Sequence, residues 1–211
     1  MAASAADGFI LNPHGLSASA CEAIFTFLQD RRPECPIYAL VGSLHSPEID
    51  ADLVAVMPHA PTGIVLSDCE SRADLQGLSA KLAVQEAENG LPDSVTEILA
   101  LTGTAAAIFN FAELGDATPR LAALAWDRQR LLASLGTETI AQSIDTPGST
   151  LFRTLLLFAA RASGKSAIDT ANATEDLAAF EQECLRARAD GFAGKLACNP
   201  SQAAIIAKIF G

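Results

Sequence analysis

The feature that most constrains this chain is an alternation running from end to end: short apolar runs separated by longer amphipathic stretches. The short runs are residues 9–11, 37–41, 63–66, 97–101, 121–126, 166–168 and 195–198. Their hydrophobicity is continuous rather than confined to every second residue. That pattern marks strands buried on both faces, as in parallel sheets. Helix patterns fill intervals at residues 17–28, 71–89, 150–163 and 174–190. Asn89-Gly90, Ser163-Gly164 and Gly191 supply stop signals, and Thr174-Glu175-Asp176 supplies a start. Strand, helix and strand in that order require right-handed crossovers and a parallel sheet. Periodicity alone leaves an open doubly wound sheet and a barrel both possible. No Gly-rich phosphate loop follows the first run, which counts against a dinucleotide site. Residues 127–148 are long and irregular, and they predict a short helix plus a loop over one end of the sheet.

Length and composition bound the rest. A chain of 211 residues is large enough to bury a good core, and the simplest organisation is one domain over residues 1–211. Half of the residues are hydrophobic and 18% are charged. So apolar a composition predicts that a partner subunit covers part of the surface. A formal charge of -11 excludes nucleic-acid backbones and anionic membranes as partners. No uncharged run approaches the roughly 20 apolar residues of a membrane span. The first residues lack the basic and apolar regions of a secretory signal. Cys21, Cys35, Cys69, Cys184 and Cys198 are odd in number and show no C-x-x-C spacing. Free thiols in a cytoplasmic protein are the expectation, with Cys198 as a small core residue of the last strand.

That last strand sits in a telling context. Residues 191–202 read Gly-Phe-Ala-Gly-Lys-Leu-Ala-Cys-Asn-Pro-Ser-Gln. A small-residue turn feeds an apolar run, and Asn199 or Ser201 caps a helix with Pro200 near its first position. The stretch resembles G-K-x-x-I-H-P-x-Q, the barrel-closing signature of the citrate lyase beta-subunit-like (HpcH/HpaI aldolase) family. Other stretches match in order and spacing. Residues 63–71, Gly-Ile-Val-Leu-Ser-Asp-Cys-Glu-Ser, resemble G-I-V-L-P-K-V-E-S, and residues 101–105, Leu-Thr-Gly-Thr-Ala, resemble L-I-E-T-A. Residues 119–136 resemble the strand and loop P-R-V-x-x-L-x-F-G-x-E-D-x-x-x-D-L-G. Ala167-Ile168-Asp169 and Thr174-Glu175-Asp176-Leu177 belong to the last two units.

The resemblance implies a TIM-barrel-like parallel β/α barrel, here shortened by about one N-terminal β-α unit. It also implies a carbon–carbon lyase or aldolase acting on acyl-CoA substrates, such as citryl-CoA or malyl-CoA, or on 2-keto acids. A trimer is implied, as is a magnesium ion held by one Glu and one Asp at strand ends. Magnesium wants carboxylate oxygens, and it polarises a carbonyl as negative charge develops. In this chain those two carboxylates fall on Gly103 and Arg130. The family's D-L-E-D falls on Asn12-Pro13-His14-Gly15, its substrate Arg near Leu40, its loop Lys on Asp68 and its H-P on Asn199-Pro200. An Arg at a ligand position repels a cation. The expectation is therefore a member degenerate at its metal site, with no magnesium in this chain. The alternative is a non-catalytic binding or assembly protein that pairs with an intact paralogue.

The residues placed at a candidate ligand site are Asn12, His14, Glu70, Asp127, Arg130 and Asn199. The partners expected are a small carboxylic acid or acyl-CoA and further copies of the chain. Each residue also has a plainer role. Glu70 can serve as a helix-start carboxylate, and Asp127, Arg128 and Arg130, rather than binding an anion, can pair with one another and with solvent. Asp169 is expected as a loop hydrogen-bond acceptor, and Lys195 as structural. Phe109, Phe111, Phe152 and Phe158 are expected in the core or at a subunit contact.

Overall fold

The structure is a computed structural model that describes residues 7–31, 34–137 and 145–211. Its first half runs β1 (Phe9–Leu11), α1 (Ala18–Arg31), β2 (Ile37–Val41), α2 (Ile49–Val56), β3 (Gly63–Leu66), α3 (Arg72–Glu88), β4 (Glu97–Thr102) and α4 (Phe111–Leu114). Its second half runs β5 (Leu121–Trp126), α5 (Arg128–Ser134), α6 (Pro147–Ala162), β6 (Ser166–Asp169), α7 (Leu177–Asp190), β7 (Gly194–Lys195) and α8 (Pro200–Phe210). The seven strands form one sheet in the order of the chain, and every neighbouring pair is parallel. The sheet curls into a TIM-type half-barrel with helices outside. Among the described residues, β1 and β7 are edges that do not pair with each other.

Alternate side chains along each strand serve two cores. Ala39, Val41, Ile64, Leu66, Ile98, Ala100 and Leu124 face outward and join Phe25, Leu53, Leu75, Leu78, Phe152 and Leu156 of the helices. Val65, Leu99, Ala123 and Ala125 face inward with Tyr38, Leu40, Leu101 and Ile168. Burial on both faces accounts for the continuous apolar runs. At the bottom of the interior the Tyr38 hydroxyl donates to Glu97 Oε2 at 2.6 Å. Gly63 makes this possible, because a Cβ there would lie 2.7 Å from the Tyr38 ring.

The helices begin where cap chemistry allows. Ser71 and Asp74 form a capping box that opens α3. Thr146 and Ser149 form another that starts α6 at Pro147, ahead of residue 150 where the pattern begins. α2 lies outside the helix patterns read from the sequence. The irregular stretch holds α5, and residues 138–144 of its loop lie outside the described residues.

The last strand differs from expectation. It covers Gly194–Lys195 only, and Cys198 is exposed rather than a core residue. Gln202, fully buried, accepts from the Cys198 N–H at 2.9 Å and donates to the carbonyls of Asn172 and Thr174. The backbone N–H that a longer strand would pair is thus committed to the start of α8.

Candidate functional site at the C-terminal rim

In parallel barrels the C-terminal strand ends carry chemistry and the opposite end carries stability. Here the loops after β3, β4 and β5 converge at that end. The β3 loop is firmly held. Ser67 N–H donates to Val41 O at 3.2 Å and Cys69 N–H to Leu101 O at 3.2 Å. The Asn110 amide donates to Glu70 O at 3.1 Å. Asp74 accepts the N–H groups of Glu70 and Ser71, each at 2.9 Å, and His45 Nε2 stands 3.3 Å from its other oxygen. Within this loop Asp68 has a φ of 48°, in the left-handed region where a non-glycine residue is strained.

Asp68 meets Arg130. The Arg130 Nε donates to Asp68 Oδ1 at 2.7 Å, across the end of β4. Asp127 caps α5 by accepting from the Arg130 N–H at 3.0 Å. The Asp68 carboxylate, by hydrogen bond and by charge, raises Arg130 above the ordinary guanidinium value against a small opposing burial effect, and Asp127 and Glu70 add to the rise. Burial and the neighbouring Asp74 charge push the Cys69 thiol up to about 12, so it offers no ready thiolate beside this pair.

Gly103 lies directly under the Arg130 stem. A Cβ at Gly103 would sit 2.8 Å from Arg130 Cβ, 3.0 Å from its Cγ and 3.1 Å from Asp127 O. The two positions where the resemblance places magnesium carboxylates are therefore adjacent in space. They hold a missing side chain and a paired guanidinium. The rim does not fit a divalent cation: its nearest carboxylates share one fixed positive charge. Among the described residues no group of three or more His, Cys, Asp or Glu is placed to hold a metal.

The six residues singled out in the sequence do not form one cluster. Glu70, Asp127 and Arg130 come together with Asp68, which the sequence reading placed only as the occupant of a lysine position. Asn12 is exposed after β1, with its Oδ1 accepting from the exposed His14's N–H at 3.0 Å. Asn199 caps α8 by accepting from Gln202 N–H at 3.0 Å. Asp127 and Asn199 both line a cavity of about 800 Å³ along the seam between β1 and β7.

A second polar region lies between the sheet and helices α6 and α7. Asp169 accepts from Trp126 Nε1 at 2.8 Å and Arg153 Nε at 3.1 Å, and Lys195 Nζ stands 3.2 Å from its other oxygen. Burial pushes the Asp169 carboxyl up, but the Lys195 and Arg153 charges and the Trp126 donor outweigh it and hold the group below its ordinary value. Lys195 also donates to Thr170 O at 2.8 Å and stands 3.5 Å from Glu183. These groups, with Arg128 and Arg186, line a crevice of about 200 Å³. Within the Asp169–Arg153–Lys195 network each charge meets an opposite one, so the network reads as structural.

Comparison with known proteins bears on this arrangement. The chain is 30% identical over 183 residues to the "Citrate lyase subunit beta-like protein" of Deinococcus radiodurans, covering 85% of this chain and 59% of that protein. It is 26% identical over 171 residues to the "Citrate lyase subunit beta" of Leuconostoc mesenteroides subsp. cremoris, covering 81% and 56%. It therefore spans less than two thirds of the length of these curated relatives. Among solved structures, the citrate lyase beta subunit of M. tuberculosis, complexed with oxaloacetate and magnesium, superposes with a TM-score of 0.75 at 25% identity, covering 98% of this chain and 87% of that one. A citrate lyase from Burkholderia xenovorans superposes with a TM-score of 0.84 at 17% identity, covering 97% and 68%, a likeness of fold. A model of the HpcH/HpaI aldolase/citrate lyase family matches residues 20–200. By that match and by its half-barrel, the chain belongs to the HpcH/HpaI aldolase/citrate lyase family.

Proposed function

We propose that this chain is a member of the lyase/aldolase family that does not perform magnesium-dependent carbon–carbon cleavage at its own rim, and that it acts as a binding and assembly subunit. The observation that carries this is the Gly103–Arg130–Asp68 arrangement. Metal-assisted cleavage needs a divalent cation beside the reacting carbonyl, and Arg130 occupies that ground while committed to Asp68. A small keto acid of the kind held by the M. tuberculosis relative would meet Asp68, Glu70 and Asp127 around a single guanidinium, a net negative surface.

Assembly is supported by α6. Its inner face buries Phe152, Leu156, Leu157 and Ala160, while Leu151, Leu155 and Phe158 are exposed at helical spacing, as is Phe109 nearby at 86%. An apolar patch of this kind marks a contact surface. Further copies of the chain, as a trimer by analogy with the family, are the proposed occupants.

The test is direct. Purified protein incubated with magnesium and citryl-CoA or malyl-CoA should give no cleavage above background. Light scattering at micromolar concentration should report an oligomer that Phe158→Glu weakens. Robust turnover abolished by chelation would overturn the functional reading, and a monomer would overturn the assembly reading. Gly103→Glu with Arg130→Asp is the complementary variant, expected to gain magnesium affinity if these positions keep the family's geometry.

A further inference from the structure

The interior of the half-barrel opens beside the rim residue Asp127. The seam cavity has an inner wall of Ile10, Leu40, Val65, Leu101 and Ile168 and an outer wall of Ala203, Ile206 and Phe210 on α8. It is roomy for identifiable reasons. The edge strands that flank it are only three and two residues long. Barrel interiors are ordinarily filled by layers of bulky branched side chains. Ile10, in register with the inward Tyr38, is instead 41% exposed.

The polar groups of this cavity select against acids. Among the described residues that line it, Lys195 is the only cation, and it is committed to Asp169, Glu183 and Thr170 O. Asp127 and Asp7 are both anionic. A carboxylate ligand would find repulsion and no free cation. A neutral chain would find apolar walls, with Asp127 as an acceptor for a hydroxyl or amide at its end. The volume lies within the range of small-molecule sites, and a large apolar cavity with a few convergent polar groups is the form such sites take.

We propose that the seam cavity binds an uncharged aliphatic chain, its polar end toward Asp127 and Asn199. The proposal rests on the binding role given above and names the ligand class. The chain could come free, as an alcohol, or carried as a thioester, and both present the same chemistry to the walls.

The experiment uses the full chain and the neutral fluorophore N-phenyl-1-naphthylamine. Its fluorescence should rise with the protein and fall on titration with 1-decanol. Decanoate should need at least about tenfold higher concentration, a difference of about 1.4 kcal/mol, and oxaloacetate should not compete. S-decanoyl-N-acetylcysteamine competing better than decanol would assign the carried form, and the reverse would assign the free one. Ile10→Trp and Leu101→Trp, each checked for folding by circular dichroism, should weaken decanol binding at least about tenfold, whereas Val84→Glu on the exposed face of α3 should not. Cys198 lines the cavity and is exposed, so decanol should slow its alkylation by N-ethylmaleimide. No competition by decanol, competition unchanged in both folded tryptophan variants, or equal competition by oxaloacetate would overturn the proposal. Metal-dependent turnover by the wild-type chain would instead strike the functional reading and leave the decanol result standing.

Discussion

Two arginine–carboxylate pairs sit at opposite ends of this half-barrel, and their difference separates function from stability. At the rim, Arg130 and Asp68 meet at 2.7 Å with side chains 52% and 27% exposed. At the floor, Arg120 meets Glu86 with two bonds of 2.6 and 2.7 Å, and the side chains are 3% and 1% exposed. Glu86 also accepts the N–H groups of Ser94 at 3.0 Å and Thr96 at 2.9 Å, and Arg120 reaches Thr96 O at 3.2 Å. The floor pair thus ties α3 to the turns that open β4 and β5. Contact distance alone does not tell the two apart. Desolvation and the number of satisfied partners do.

The sharpest way to break this contrast is at the floor. Glu86→Ala leaves a buried guanidinium without its carboxylate and should cost about 3–5 kcal/mol in denaturant unfolding. The same pair sets an acid limit. Burial pushes the Glu86 carboxyl up, but the Arg120 bonds and the backbone donors outweigh it and bring the group from 4.5 to about 2. A depressed carboxyl contributes stability that is present above its unfolded value and lost as pH falls through its folded value. Stability should therefore decline from about pH 4.5 toward 2, and Glu86→Gln should flatten that part of the profile. A flat wild-type profile would remove the floor pair from the stability account.

Asp169→Asn tests whether the network behind β6 belongs with the floor. It leaves Lys195 and Arg153 without their shared anion, and about 2–3 kcal/mol of destabilisation is expected. The smallest effect belongs to the rim. Arg130→Ala removes an exposed pair and should change stability by less than about 1 kcal/mol. A loss as large as that of Glu86→Ala would erase the distinction between the two ends.

Much of the fold was legible in the sequence because burial on both faces writes itself as continuous apolar runs. The runs at residues 37–41, 63–66 and 121–126 are strands within those bounds. Barrel and open sheet could not be separated that way, since both bury strands alike, and the family motifs made the choice. The run at 195–198 failed as a strand because hydrophobicity does not record that Gln202 would capture the Cys198 N–H. At the rim, motif register placed Gly103 and Arg130 at equivalent sites, and the side-chain clearance shows them in contact. The Asp68–Arg130 bond joins residues 62 positions apart. Local spacing carries no sign of it, nor of the cavity that opens between the short edge strands.

The unpaired edges of β1 and β7 also bear on how this protein moves in time. A strand within a closed ring can leave only by breaking ladders on both sides, whereas β1, among the described residues, is held through β2 alone. Its brief openings should be the most frequent in the sheet, and backbone amide exchange should slow progressively toward β4. The half-barrel thus has a direction of fraying, starting at the mouth of its own cavity, and each opening of that edge widens the path by which a guest enters or leaves.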